Sequence, residues 1–427
     1  MPEELARRLG TTDAVVVGLS AMIGAGVFAA FAPAAAAAGH WLLASLALAA
    51  VVAYCNATSS ARLAALYPES GGTYVYGRRR LGPLWGYLAG WGFTIGKTAS
   101  CAAMALTFGS YVLPGLERPL AIAAVAVLTL LNLFGVQRSA GVARIIVAFV
   151  LAVLAVVILA GLTGDDSATF GWFARTPETE VFLRNAAGPY QADGWGVMQG
   201  AGLLFFAFAG YARIATLGEE VRDPARTIPR AVGIALGITL AVYTLVAVAA
   251  LRTLQPELLA TSAAPLAEVV RQAGFGWLAP VVGAGAAVAA LGALLALLLG
   301  VSRTVLAMAR ERDLPGALAA VDPVRQVPRR AELAVGGAVI VLLLVADLRE
   351  AIGFSSFGVL VYYAVANACA FTLRRDEGAP HRAVPVLGLA LCLALAATLP
   401  LASVVAGLAV FAAGLAIYAV RRARAGR

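Results

Sequence analysis

Long apolar runs separated by short polar turns fill almost the whole chain, and charges interrupt few of them. About 20 apolar residues carry a helix across a bilayer. On that measure spanning helices are expected near residues 13–38, 41–66, 84–113, 119–136, 140–163, 195–219, 229–252, 276–309, 331–347, 350–373, 384–402 and 404–421. The fold class this predicts is an all-α membrane protein of about twelve transmembrane helices. Two runs carry a flaw at mid-length. The first holds Gly18-Leu19-Ser20-Ala21-Met22-Ile23-Gly24-Ala25-Gly26-Val27-Phe28, and the sixth holds Leu204 through Thr216 with Gly210 at its centre. Glycine inside a helix costs about 1 kcal/mol relative to alanine, so both runs are expected to open there. The freed backbone groups of an opened membrane helix need a protein-lined cavity or a polar ligand. The second half-helix then turns its unpaired N–H groups and positive dipole end toward any carboxylate that enters. The two flawed segments begin two five-helix halves, residues 13–163 and 195–373. Matched interruptions of this kind point to an inverted repeat with substrate at the repeat interface. Glycine also serves close helix packing; a matched pair at the first and sixth positions favours opening.

Composition narrows the class. Of 427 residues, 61% are hydrophobic and 13% charged, which excludes an ordinary soluble domain. The net charge of +9 lies in scattered loop arginines rather than a basic domain, which argues against nucleic acid. Those arginines favour alternate loops: Arg78 to Arg80, Arg222 to Arg230, Arg310 to Arg330, Arg374 and Arg375, and Arg421 to Arg427. The asymmetry predicts cytoplasmic N- and C-termini, with residues 1–12 and 422–427 as cytoplasmic segments and a long external loop at about 164–194. The first apolar run exceeds a signal-peptide core and reads as an uncleaved span. Cys55, Cys101, Cys369 and Cys392 lie within apolar runs without ligand spacing, so neither a metal nor a cofactor is expected. His40 and His381 sit in no nucleophile or metal motif, which speaks against an enzyme.

Four stretches carry a family resemblance: Ile23-Gly24-Ala25-Gly26-Val27-Phe28; Pro68 through Tyr74; Phe205 through Gly210 with Glu219, Glu220 and Pro224; and Ser302-Arg303 through Arg310 with Pro315. In that order they resemble the amino acid-polyamine-organocation permeases over roughly residues 10–375. The resemblance implies a LeuT-type fold with a ten-helix core over 13–375, two further helices over 383–421, and amino-acid transport by alternating access. It also implies that backbone groups of Ile23, Gly24, Ala25 and Gly26 hold the substrate carboxylate. Backbone carbonyls around Ile23, Phe206, Ala207 and Ala209 would receive its ammonium, with Phe206 as an aromatic lid. Many members that carry cationic amino acids have an acid where this chain has Ala212, which weakens a lysine or arginine specificity. Several place a lysine in the fifth helix at about Val150, so coupling by that group is absent here.

Lys97, mid-way along the third segment, is the sole lysine in the chain. An ionisable group at bilayer mid-depth costs at least about 2.5 kcal/mol, which makes function the default reading. Lysine, unlike arginine, can give up its proton when buried. On a helix it shares a face with Cys101, Met104 and Phe108, and the resemblance turns that face toward the substrate. Lys97 is therefore read as the coupling group or as a charge that selects the substrate side chain; the plainer alternative is a lysine bonded to an unwound helix end. Arg213 reads first as a snorkelling or loop-paired cation, and Asp13 as a helix-start acid. Glu219 and Glu220 read first as a solvated charge cluster and second as an inner gate. The expected activity is proton-coupled uptake of a neutral amino acid, with sodium as the other coupling ion and exchange, or acidic, cationic or polyamine substrates, as alternatives. A channel would want rings of like charge or a carbonyl filter, and neither is visible. The sequence leaves oligomeric state open.

Overall fold

The computed structural model describes residues 9–69, 71–134, 140–164, 194–215, 221–322 and 325–425. The described residues are helical, apart from turns and one isolated parallel bridge between Leu9 and Val221. The first apolar run divides into α1 (Thr11–Met22), α2 (Ala25–Ala29) and α3 (Phe31–Ala38). Gly39, at φ +52°, turns the chain through Gly39–Trp41 into α4 (Leu42–Leu66). Then follow α5 (Thr73–Arg80), α6 (Pro83–Val112), α7 (Glu117–Leu133) and α8 (Ala140–Thr163). The sixth run gives α9 (Gly194–Phe208), a 3-10 turn at Ala209–Tyr211 and α10 (Ala212–Ala215). The remainder comprises α11 (Pro224–Thr253), α12 (Pro256–Thr261), α13 (Pro265–Gln272), α14 (Ala279–Arg310), α15 (Arg329–Val345), α16 (Leu348–Phe371), α17 (Ala383–Thr398) and α18 (Leu401–Ala425).

Among the described residues eight stretches are long and apolar enough to cross a membrane: Thr11–Ala29, Phe31–Leu66, Gly141–Thr163, Gly194–Ala215, Pro224–Thr253, Gly276–Arg310, Leu348–Phe371 and Leu401–Ala423. Of the other expected spans, α7 and α15 have 17 residues each and α17 has 16. The fourth, α6, is long but holds Thr94, Lys97, Thr98 and Ser100 in its middle.

Two expectations for the loops need correction. The arginines 78–80 were expected in a loop between spans, yet they close helix α5, because Gly71 (φ +131°) and Gly72 (φ +57°) complete the turn before Thr73. Likewise residues 224–229 belong to α11 rather than to a loop: Pro224 stands in the first helical position, where its missing N–H costs nothing.

The centre of the bundle is α6, on which both α16 and α14 pack. The approach of α16 requires glycine, since a Cβ on Gly92 would lie 2.9 Å from the Gly358 carbonyl oxygen. Burial separates centre from rim: 78% of the apolar window in α16 is buried, against 17% in α18. The outermost helix thus offers its apolar side chains to lipid.

At the arginine-rich end, Arg78 binds Asp313 (2.9 Å) and Glu311 (3.1 Å), and Arg80 binds Glu377 (2.5 Å). The Tyr74 hydroxyl donates to Asp313 at 2.7 Å. Burial pushes the Asp313 carboxyl above its ordinary range, against the pull of Tyr74 and Arg78. Here also Asp13 accepts from the Gly10 N–H (3.2 Å) as a helix-start acid and pairs with Arg144 of α8. At the opposite end Tyr111 accepts from the Leu266 N–H (3.1 Å) and donates to the Phe28 carbonyl (2.9 Å), tying α6 to α13 and α2.

Candidate functional site

Both mid-length flaws are breaks, and they meet. The first lies at Ile23–Gly24, where Gly24 (φ −99°, ψ −144°) leaves helical geometry and the helix resumes at Ala25. The second is the 3-10 turn Ala209–Tyr211, where the α-helix tightens between helical residues Phe208 and Ala212. A Cβ on Gly26 would lie 2.7 Å from Ala207 Cα, and one on Gly210 would lie 2.4 Å from the carbonyl carbon and oxygen of Ala21. Each glycine therefore admits the backbone of the other segment, a closeness no other residue allows.

The backbone groups released by the breaks find side-chain donors. Tyr243 of α11 lies with its hydroxyl 2.5 Å from the Met22 carbonyl and 3.1 Å from the Ala207 carbonyl. A buried carbonyl without a donor costs about 1–3 kcal/mol; the phenol's one hydrogen serves the nearer Met22 carbonyl, and the Ala207 carbonyl lies within its reach, so the ring ties the two helix ends together. Phe208 and Phe31 hold its ring edge-on at 5.0 and 6.4 Å. At the second break the Ala209 carbonyl accepts from Lys97 Nζ (3.4 Å) and from the Tyr363 hydroxyl (3.5 Å). Tyr363 is in turn held by the rings of Phe205 and Tyr211.

Of the residues singled out by sequence, Ile23, Gly24, Ala25, Gly26, Ala207 and Ala209 come together at the crossing, all buried, and Lys97 reaches it from α6. Phe206 is buried at the end of α9, and Cys101 is fully buried one turn beyond Lys97. The Lys97 bond to an opened helix end is the geometry foreseen as its plainer alternative. Glu219 and Glu220 lie outside the described residues. Arg213 on α10 is half-buried and engaged with a neighbour. A cavity of about 400 Å³ lies elsewhere, lined by Ala36, Trp195, Gln199, Leu399 and Val404, and none of the residues singled out borders it. Its flank offers no ionisable group, so the chemistry stays with the breaks. Sequence reasoning missed Tyr243, Tyr363 and Tyr111. The available signal was a phenol inside an apolar run, whose hydroxyl needs a partner once buried. Among the described residues no cluster of His, Cys, Asp and Glu could hold a metal ion.

The amino acid permease family model matches residues 9–421. An uncharacterized transporter of Mycobacterium tuberculosis is 64% identical over 422 residues, covering 99% of this chain and 93% of that protein. The vacuolar cationic amino acid transporter 4 of Arabidopsis thaliana is 28% identical over 395 residues, 87% of this chain and 64% of that protein. The branched-chain amino acid permease BcaP of Bacillus subtilis is 25% identical over 448 residues, 97% of this chain and 93% of that protein. A match across nearly the whole chain, on a helical bundle with two crossing helix breaks, makes this protein a transporter rather than an enzyme: it belongs to the amino acid permease family of the amino acid-polyamine-organocation superfamily.

Proposed function

We propose that the protein carries neutral amino acids by alternating access and couples their uptake to protons through Lys97. The observation that supports this reading is that the sole lysine of the chain is buried at the second break, with its ammonium on the Ala209 carbonyl. In this account α6, α7, α15 and α17 complete twelve spans, and the halves 13–163 and 195–373 are inverted repeats. The N–H groups at Gly24 to Gly26 receive the substrate carboxylate, carbonyls around Ile23, Phe206, Ala207 and Ala209 receive its ammonium, and Phe206 covers it. A charged Lys97 fastens the second break to α6. Loss of its proton toward the cytoplasm weakens that bond, because a neutral amine donates more weakly than an ammonium, and frees the segment to move. The cation at this position, with Ala212 in place of an acid, favours neutral over cationic substrates. Among the relatives, one is named for branched-chain and others for cationic amino acids, so both classes belong in the test.

Counterflow of every common amino acid in proteoliposomes tests the reading. Saturable, trans-accelerated exchange of neutral amino acids is expected. Exchange restricted to lysine and arginine, or flux without saturation, would refute it. Cytoplasmic termini are part of the proposal: reporters after Arg427 and near Arg79 should lie inside, and one near Asp166 outside.

A further inference from the structure

A second ionisable group lies buried in the bundle, away from the two breaks. Glu332, in the first turn of α15, is 0% exposed. Its Oε1 is 2.6 Å from the Ser302 hydroxyl of α14, and its Oε2 is 3.5 Å from Asn132 Nδ2 of α7. Both partners are neutral.

No element packed against α15 sets a cation beside this carboxylate among the described residues. α14 carries Arg303, whose side chain is exposed and whose charge acts on Glu332 from beyond ion-pair distance. α7 presents Asn132 and Thr129 at this level, neither of them titratable. α6 carries Cys101 and, one turn earlier, Lys97, whose ammonium is bonded to the Ala209 carbonyl. The Gly316–Ala319 turn has no titratable side chain. On α15 itself Arg329 and Arg330 are exposed, and Arg330 binds the Ala317 carbonyl (3.4 Å); Arg325 in the preceding loop lies over the Phe134 ring. Among the described residues no cation comes within ion-pair distance of this carboxylate.

A buried carboxylate with no cation beside it favours the neutral acid, and the proton count around Ser302 agrees. The Ser302 hydroxyl has one hydrogen but two acceptors, the Leu299 carbonyl at 3.0 Å and Glu332 at 2.6 Å. With a proton on Glu332, the acid donates across the 2.6 Å contact and the serine donates to Leu299. Two polar atoms of α7 nearby also lack partners. Asn132 Oδ1 and Thr129 Oγ1 are buried without a partner, and Thr129 borders Gly336, one turn beyond Glu332.

We propose that Glu332 is a second proton-binding site, which holds a proton in this conformation and exchanges it during transport. It deepens the proton-coupled reading above and rests on that reading for its role in uptake, while its protonation can be measured separately.

The measurement is infrared difference spectroscopy of the full-length protein in liposomes at neutral pH, following the carboxylic-acid C=O stretch. A band is expected in the wild type that Glu332→Gln lacks, that shifts in Ser302→Ala where the short hydrogen bond is lost, and that weakens when a mixture of the common amino acids is added. The wild-type and Ser302→Ala spectra decide the matter even if Glu332→Gln fails to insert. Absence of the band, indifference of the band to both substitutions, or indifference to amino acids would overturn the proposal. In transport, one pH unit is a factor of ten in proton activity, so losing one coupled proton should lower the ratio of accumulation to counterflow about tenfold in Glu332→Gln. An unchanged ratio would overturn the coupling role. Should the wild type ignore a pH gradient altogether, the proton-coupled reading fails, and the infrared band alone decides whether Glu332 holds a proton.

Discussion

Gly210→Ala adds one methyl group where the two breaks cross. The new Cβ would lie 2.4 Å from the carbonyl carbon and oxygen of Ala21 and 2.6 Å from the Met22 nitrogen, all backbone atoms, so no flexible side chain can swing aside. Ordinary contact begins at 3.4 Å, so the end of α1 must retreat from the Ala209–Tyr211 turn by about 1 Å, the difference between 3.4 and 2.4 Å. Overpacking of this kind costs about 1–3 kcal/mol, and the rigidity of both partners places Gly210→Ala toward the upper end. About 3 kcal/mol is a factor of roughly 150 in the balance between the closed crossing and its separated forms. Gly237 on α11 supplies the control: a Cβ there meets nothing within 4 Å, so Gly237→Ala should be neutral or stabilising by up to about 1 kcal/mol. Thermal unfolding in detergent and counterflow in proteoliposomes should both separate the two variants, with Gly210→Ala less stable and slower. Equal stability and equal counterflow would show that the breaks do not need their present contact.

Gly26→Val should insert normally yet lose amino-acid binding, because its side chain would fill the space against Ala207; binding at wild-type strength would displace the site from the breaks. Tyr243→Phe leaves the Met22 carbonyl without its donor and the Ala207 carbonyl without a hydroxyl in reach and should lower stability in detergent by about 1–3 kcal/mol; an unchanged unfolding curve would show that the Met22 carbonyl finds another donor. At the arginine-rich end, the hydrogen bond from Arg80 and the backbone N–H of Arg374 hold the Glu377 carboxyl below its ordinary value of 4.5. A depressed carboxylate contributes stability above its unfolded value and loses it as pH falls through the folded one. The stability difference between wild type and Glu377→Gln should therefore shrink on acidification below 4.5; a difference that grows instead would contradict the pairing.

The helical class and both breaks were legible because glycine inside an apolar run leaves few structural options, and the helix indeed stops at Met22 and restarts at Ala25. Family resemblance carried the choice of backbone groups around Gly24 and Ala207, which no periodicity could supply. Partners joined across long sequence separations stayed hidden. Tyr243 reaches a carbonyl 221 positions away and Lys97 one 112 positions away, and only the folded bundle brings them together. Glu332 escaped notice for a related reason: two arginines and a loop precede it, so in sequence it reads as the solvated start of a helix, whereas the packing of α7 and α14 buries it. The small helices α12 and α13 were invisible because each is shorter than a spanning run.

The most direct test of a lysine-coupled carrier is uptake into proteoliposomes under an imposed inward proton gradient, comparing wild type with Lys97→Arg and Lys97→Ala. The wild type should accumulate a neutral amino acid above its equilibrium level, by about tenfold for each pH unit if one proton is coupled. Lys97→Arg keeps the cation beside the Ala209 carbonyl but cannot release its proton at working pH, so it should still exchange amino acids while losing the proton carried at this position, and accumulate about tenfold less per pH unit than the wild type. Accumulation by Lys97→Ala equal to the wild type, with the same substrates and the same pH dependence, would contradict the account and leave Lys97 as a tie between α6 and the broken helix.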